Sequence, residues 1–194
     1  MFLFFASDDT YKDAIILNLI SEWTKKSEIP LGRTIIQKLC YFAEAIDIPL
    51  GYRFSVYQYG PYSQELYMHI DDMVINGLIN DENMSNKLKA GTSVYSLSES
   101  AKHLLEVSSE KLEKIKDSVS FLIDYLKKYS PRDLELMSTT HYYYTANKNY
   151  YGELDDAELK ALTIRRVIEA KKDKFSQFEI DNAYLLLKST AQFH

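Results

Sequence analysis

Four histidines, one cysteine and a scatter of carboxylates are the residues of this chain that could do acid–base or metal chemistry. His69, His103 and His141 fall on three different predicted helices, and His194 is terminal. None forms the i, i+4 histidine pair of a zinc hydrolase. His69 and Asp72 stand three apart and read as a surface pair. Asp155 and Asp156 are explained by a helix start, where carboxylates meet the positive end of the dipole. Glu135 is a candidate buried carboxylate. Cys40 lies in an apolar helical pattern and reads as an inert buried thiol; one cysteine excludes an internal disulfide and any multi-cysteine zinc site. There is no Gly-x-Ser-x-Gly and no phosphate loop. These residues assign no catalytic group, no metal site and no cofactor.

Binding is better represented. Tyr52, Tyr57, Tyr59, Tyr62 and Tyr67 crowd into one short stretch. Tyrosine carries a large apolar face with a polar tip and is enriched at interface hot spots. Arg53, Tyr57, Tyr59, Tyr62 and Tyr67 are therefore the candidate partner-binding residues. His141, Tyr142, Tyr143 and Tyr150 form a second candidate surface, because consecutive aromatics on a helix cannot all share one face. Lys87 and Lys89 are candidate nucleic-acid contacts on a hairpin tip. Arg165, Arg166, Lys171, Lys172 and Lys174 outweigh Glu169 and Asp173; the group could touch an acidic partner or RNA, and a solvated basic helix end is the favoured reading.

The elements that must position these groups follow from periodicity. Residues 8–26 and 33–47 read as helices, each with a buried stripe. Residues 52–59 alternate, with Tyr52, Phe54, Val56 and Gln58 on one face and Arg53, Ser55, Tyr57 and Tyr59 on the other, which predicts a strand. Gly60-Pro61 ends it. Ser63 is an N-cap candidate for a helix over 63–77, closed by Gly77. Residues 78–97 read as a hairpin with its tip between Asp81 and Gly91. From Ser98, the apolar positions Ala101 to Leu126 step by four and three, which predicts one long helix to Ser130-Pro131. That seam could join two copies or pack on the chain's own helices; the second is favoured. Helices over 132–146, 154–170 and 176–190 complete the chain, with a polar loop over 147–152.

Three motifs carry a resemblance. Gln37-Lys-Leu-Cys-Tyr-Phe-Ala43, Tyr59-Gly-Pro-Tyr-Ser63 and Asn76-Gly-Leu-Ile79 are similar to the Panacea (SocA-like) antitoxin domain and still more to the uncharacterised YwgA-like proteins. Ser130 to Thr139 resembles a YwgA-like segment as well, and Tyr95 to Lys102 the strand-to-helix exit of winged-helix domains. The resemblance implies a winged-helix core and, for Panacea domains, neutralisation of a toxin; for YwgA-like proteins it implies no activity.

The expected fold is mainly α (α+β): a winged-helix core with a small β-hairpin wing over 1–97, followed by a C-terminal helical bundle over 98–194. Hydrophobic content of 46% and charged content of 26% are those of an ordinary globular chain. No run approaches a membrane span, and Met1 to Ala6 is too short and uncharged for a signal peptide, so a reducing cytoplasm is expected. The net charge of −5 disfavours general nucleic-acid binding. So does the predicted third helix, which carries Glu65, Asp71 and Asp72 and no lysine or arginine. The leading expectation is a non-enzymatic protein-binding module that occludes a toxin or client. A DNA-binding winged-helix regulator, dimeric through 101–126, is the alternative, and an enzyme with a dispersed site the second.

Overall fold

The structure is a computed structural model describing residues 8–83 and 93–193. Met1 to Ala6, most of the predicted hairpin tip, Lys87, Lys89 and His194 lie outside the described residues. The chain divides into two compact units, residues 1–53 with 63–128, and residues 54–62 with 129–194. The expected division near residue 98 is thus displaced. The helices that follow Ser98 pack on the chain's first helix, and nine residues of the predicted amino-terminal half join the second unit.

The first unit is built around α1 (Asp8–Lys26). Ala14, Ile15, Ile16, Leu17, Leu19, Ile20 and Trp23 are buried. Four consecutive buried residues mean that α1 is covered on more than one side, which an amphipathic surface helix is not. Its covers are α2 (Arg33–Ala45), α4 (Glu99–Val107), α5 (Ser109–Glu113) and α6 (Lys116–Leu126). The Trp23 indole N–H donates to Ile29 O at 2.8 Å and fastens the turn that follows α1. α3 (Gln64–Ile75) begins at Ser63, whose hydroxyl accepts from Leu66 N. It ends at Gly77, which takes φ +71. Two further strands, Ile79–Asp81 and Tyr95–Leu97, pair antiparallel with Asn80 opposite Ser96, and Tyr95 N donates to Leu31 O at 2.9 Å.

The predicted helix from Ser98 to Ser130 is three helices. Most of its seam is buried: Ala101, Ser108, Leu112, Val119, Leu122 and Leu126 lie inside, while Leu105 and Ile115 are half-buried. The ladder breaks at Ser108, which closes α4 and opens α5, and again around Lys114 and Ile115. The seam packs on α1 and α2 of the same chain.

In the second unit α7 (Pro131–Tyr150) is the longest helix. Ser130 caps it in a reciprocal box with Asp133, and Pro131 takes the first turn, where its missing N–H costs nothing. It runs through the predicted loop as far as Tyr150. α8 (Asp156–Lys171) and α9 (Gln177–Lys188) carry the same box, from Asp155 to Glu158 and from Ser176 to Glu179. Leu136, Ile164, Val167, Phe175, Ile180 and Ala183 form a core among them. The predicted strand over 52–59 is shorter and has a partner: Ser55–Tyr57 (β1) pairs with Gly60–Tyr62 (β2) across Gln58 and Tyr59. Among the described residues no helix is long and apolar enough to cross a membrane. The mainly helical α+β class is as expected.

Burial pushes the Tyr95 phenol up to about 12. A raised acid keeps its proton in the folded chain after the unfolded chain has lost it, so stability falls with rising pH between the two values. Unfolding followed by denaturant titration is expected to lose about 2–3 kcal/mol from this group between pH 10.0 and about 12. Tyr95→Phe should flatten the slope in that window and leave it unchanged at neutral pH.

Candidate functional site

A cluster of buried polar contacts lies inside the second unit, at the β1–β2 hairpin. The loop is two residues long, so β2 must turn back at once, and Gly60 does so with φ +85. A side chain there would also meet α7: an added Cβ would stand 2.9 Å from Thr139 Oγ1 and 3.2 Å from Ser138 Oγ. Gly60 is therefore required twice, by its backbone conformation and by close approach.

Beneath the loop sits Lys171, in the last turn of α8. Its ammonium donates to Tyr57 O at 3.0 Å, to Gln58 O at 2.9 Å and to Glu135 Oε1 at 2.9 Å. Those three bonds engage all its protons. The side chains of Lys171 and Glu135 are each only 3% exposed. Burial lowers the Lys171 pKa, opposed by the hydrogen bond and charge of Glu135. Just beyond, a 3-10 turn over Lys172–Lys174 returns a second ammonium to the same carboxylate. Lys174 Nζ lies 2.9 Å from Glu135 Oε1 and 2.6 Å from Oε2, and 4.9 Å from the centre of the Tyr59 ring. The loop backbone is thus clamped from below. Its side chains point out: Tyr57 is 63% and Tyr59 55% exposed. Tyr57 meets Tyr62 edge to face at 5.4 Å.

The first unit holds a different set. His69 Nε2 is 2.6 Å from Asp13 Oδ1, and its Nδ1 is hydrogen-bonded to the Tyr52 hydroxyl. Tyr52 N donates to Glu44 Oε1 at 2.7 Å. This corrects the predicted pairing of His69 with Asp72: α1 and the segment after α2 bring the partners, and sequence spacing cannot show that. The chain of bonds has the form of a proton relay, but burial raises the Tyr52 pKa, with Cys40, Asp13, Glu44 and Glu65 adding to it. A phenol held neutral in this way is a poor nucleophile. Cys40 is buried and its thiol is pushed up by desolvation, so it matches the inert reading. Arg33 Nη2 reaches Asp71 at 2.8 Å with the Tyr67 ring 4.7 Å from its guanidinium carbon.

The predicted binding residues are divided between the units. Arg53 is exposed and Tyr67 half-buried in the first; Tyr57, Tyr59 and Tyr62 lie in the second. Of the two faces of residues 52–59, the one carrying Arg53, Ser55, Tyr57 and Tyr59 is exposed. The second candidate surface changes. His141 is 6% exposed and packs edge-on to Phe193 at 5.9 Å, so it belongs to the interior. Tyr142 is half-buried, Tyr143 packs against the core, and Tyr150 is 79% exposed at the end of α7. The basic group at 165–174 is not uniformly solvated: Lys171 is buried. Among the described residues no three histidine, cysteine or carboxylate side chains gather as a metal site would require. The pairing of Glu135 with Lys171 and Lys174 was missed. The signal for it was faint: a glutamate among apolar residues of α7 and a surplus of lysines at the end of the next helix.

No protein-family model matches the chain. It is similar to the uncharacterized protein YwgA of Bacillus subtilis (strain 168), with 28% identity over 178 residues, 90% of this chain and 95% of that protein. That likeness spans most of both chains and is in keeping with the YwgA-like motifs at 37–43, 59–63 and 130–139. The likeness to Panacea domains rests on motifs alone.

Two substitutions test the clamp. Lys171→Met leaves two loop carbonyls without their donor and Glu135 with only one of its two cations. It should cost about 3–5 kcal/mol in urea denaturation. Gly60→Ala should cost about 2–4 kcal/mol, from backbone strain and the contact with Thr139 together. Amide exchange at residues 57–60 should accelerate in both variants; unchanged protection would refute the clamp.

Proposed function

We propose that the chain is a non-enzymatic protein-binding module whose contact element is the Tyr57-Gln58-Tyr59 loop. One observation carries this reading: two large aromatic side chains are held in solvent on a loop whose backbone is fixed by a buried ammonium. Exposed tyrosine normally has an ordering cost when it binds. A backbone that is already ordered lowers that cost, and aromatic anchors of this kind dominate interface energies. The loop lies within the motif Tyr59-Gly-Pro-Tyr-Ser63 on which the Panacea resemblance rests. That resemblance supplies the finer form of the proposal: the partner is a toxin or client, neutralised by steric occlusion in the cytoplasm.

The regulator alternative is less well supported. The helix, helix, helix, hairpin order of the first unit is compatible with a winged helix. Its third helix, however, presents Glu65 and Asp72, and Asp71 is engaged by Arg33. An acidic helix opposes the phosphate neutralisation on which DNA affinity rests.

The test is affinity capture of partners from the native host with the tagged full chain, at moderate and high salt. A stoichiometric protein retained at high salt is expected. Tyr57→Ala with Tyr59→Ala, both exposed and thus tolerated by the fold, should weaken that complex at least about tenfold. A folded double variant that binds unchanged would sink the proposal, as would recovery of salt-labile DNA in place of protein.

A further inference from the structure

Beside the exposed tyrosines stands an incompletely engaged cation. Lys171 has donated all three protons inward, but Lys174 has not. Its ammonium carries three donors and, among the described residues, uses two, both on Glu135. Its side chain is 36% exposed, against 3% for Lys171. It lies against the Tyr59 ring, so the exposed donor and the exposed aromatic edge belong to one spot. Lys172, two residues before it, is exposed as well and stands at φ +51, where α8 has stopped. Glu135 is a single negative charge shared by two ammonium groups. Lys171, Lys172 and Lys174, set against Asp173 and Glu135, leave one net positive charge here, in a chain whose total is −5.

From this we infer that the loop reads an acidic segment of its protein partner: a carboxylate placed on Lys174 and Lys172 beside an apolar side chain packed on Tyr57 and Tyr59. This rests on the loop being the protein-binding element and adds the chemistry of what it binds. An acidic segment would be repelled by the chain as a whole. It is attracted only where the local sign reverses, and such a pattern fixes the register of docking more than it adds to affinity. The carboxylate meets an ammonium already desolvated on its inner side by Glu135 and flanked by a ring. A charge-assisted hydrogen bond there is less screened by water than one to a freely hydrated lysine. The tyrosines then supply the contact area.

The experiment is an amide chemical-shift titration of the isotopically labelled full chain with two acetylated peptides. One alternates aspartate with leucine, and the other replaces each aspartate by asparagine. The acidic peptide should perturb the amides of residues 57–60 and 172–175, and the neutral one should not. Lys174→Gln should weaken the acidic peptide about tenfold, and Lys172→Gln about threefold, as expected for one partly buried and one exposed charge. Because Lys174→Gln also removes a partner of Glu135 and could loosen the loop, Lys172→Gln, at an exposed side chain, is the decisive variant. Equal shifts from both peptides, or no effect of Lys172→Gln, would overturn the acidic preference while leaving the loop a protein-binding element. No shift at the loop from either peptide would overturn the inference outright. So would tighter binding of an oligothymidylate than of the acidic peptide at the same residues and salt, which would identify the patch as a phosphate reader.

Discussion

The second unit is governed by the need to bury one ammonium. An unpaired charge in a protein interior costs several kcal/mol, so Lys171 must find three acceptors in the directions its protons point. It finds Glu135 on α7 and two consecutive carbonyls, of Tyr57 and Gln58. Each demand constrains something else. In an extended strand adjacent carbonyls point in opposite directions, so the chain must turn for both to face one ammonium, and here it does so in the two-residue loop. The turn must lie close on α7 for Glu135 to join, hence a glycine at 60, whose approach to Ser138 and Thr139 leaves no room for a Cβ. α8 must end where Lys171 lies, and Lys172 leaves the helix with φ +51. Burying Glu135 then calls for a second cation, and the 3-10 turn supplies Lys174. Exposed tyrosines on a fixed loop are the outcome of this sequence of constraints.

The first unit meets a different constraint. Its centre is α1, an apolar helix that must be covered on several sides. A single long helix from Ser98 could line only one of them. Three short helices with turns at Ser108 and near Ile115 can bend around it, which is why the seam is buried and the ladder is broken. Several polar groups are satisfied in pairs, as in His69 between Asp13 and Tyr52, or Gln37 exchanging two hydrogen bonds with the backbone of Ser63. Such fully partnered sets rigidify a structure.

Helix starts were legible because capping is local. Ser63 and Ser98 each accept from a backbone N–H three residues on; Ser130, which reads from the sequence as a break, does the same. Burial was legible too, since the spacing of Ala101 to Leu126 reports which side of the chain faces inward. It does not report whether the hydrogen-bond ladder continues, and the long helix was misread for that reason. Gly60-Pro61 misled in another way. Proline has no N–H to give a ladder, so the pair looked like a stop. It sits instead in a two-stranded ribbon opposite Val56, where that donor is not needed. The polar tract 147–150 looked like a loop because polarity was taken for solvent, yet Asn147 is buried and donates to Thr163 Oγ1 at 3.2 Å.

The clamp itself was beyond local reading. Lys171 is separated from Glu135 by 36 positions and from Tyr57 by 114. Nothing in the chain's spacing joins three such points, and a lysine at a helix end is ordinarily a solvated charge. The difference between the two lysines that share Glu135 is one of depth, not of type. The inner one is consumed by the fold, and the outer one retains a donor and an aromatic neighbour at the surface. A buried ion pair adds little net stability compared with a well-packed apolar pair, so stability is a weak reason for its presence. Shaping a loop is a better one: an apolar replacement could fill the same volume, but it could not hold two carbonyls in place and leave two tyrosines standing in water.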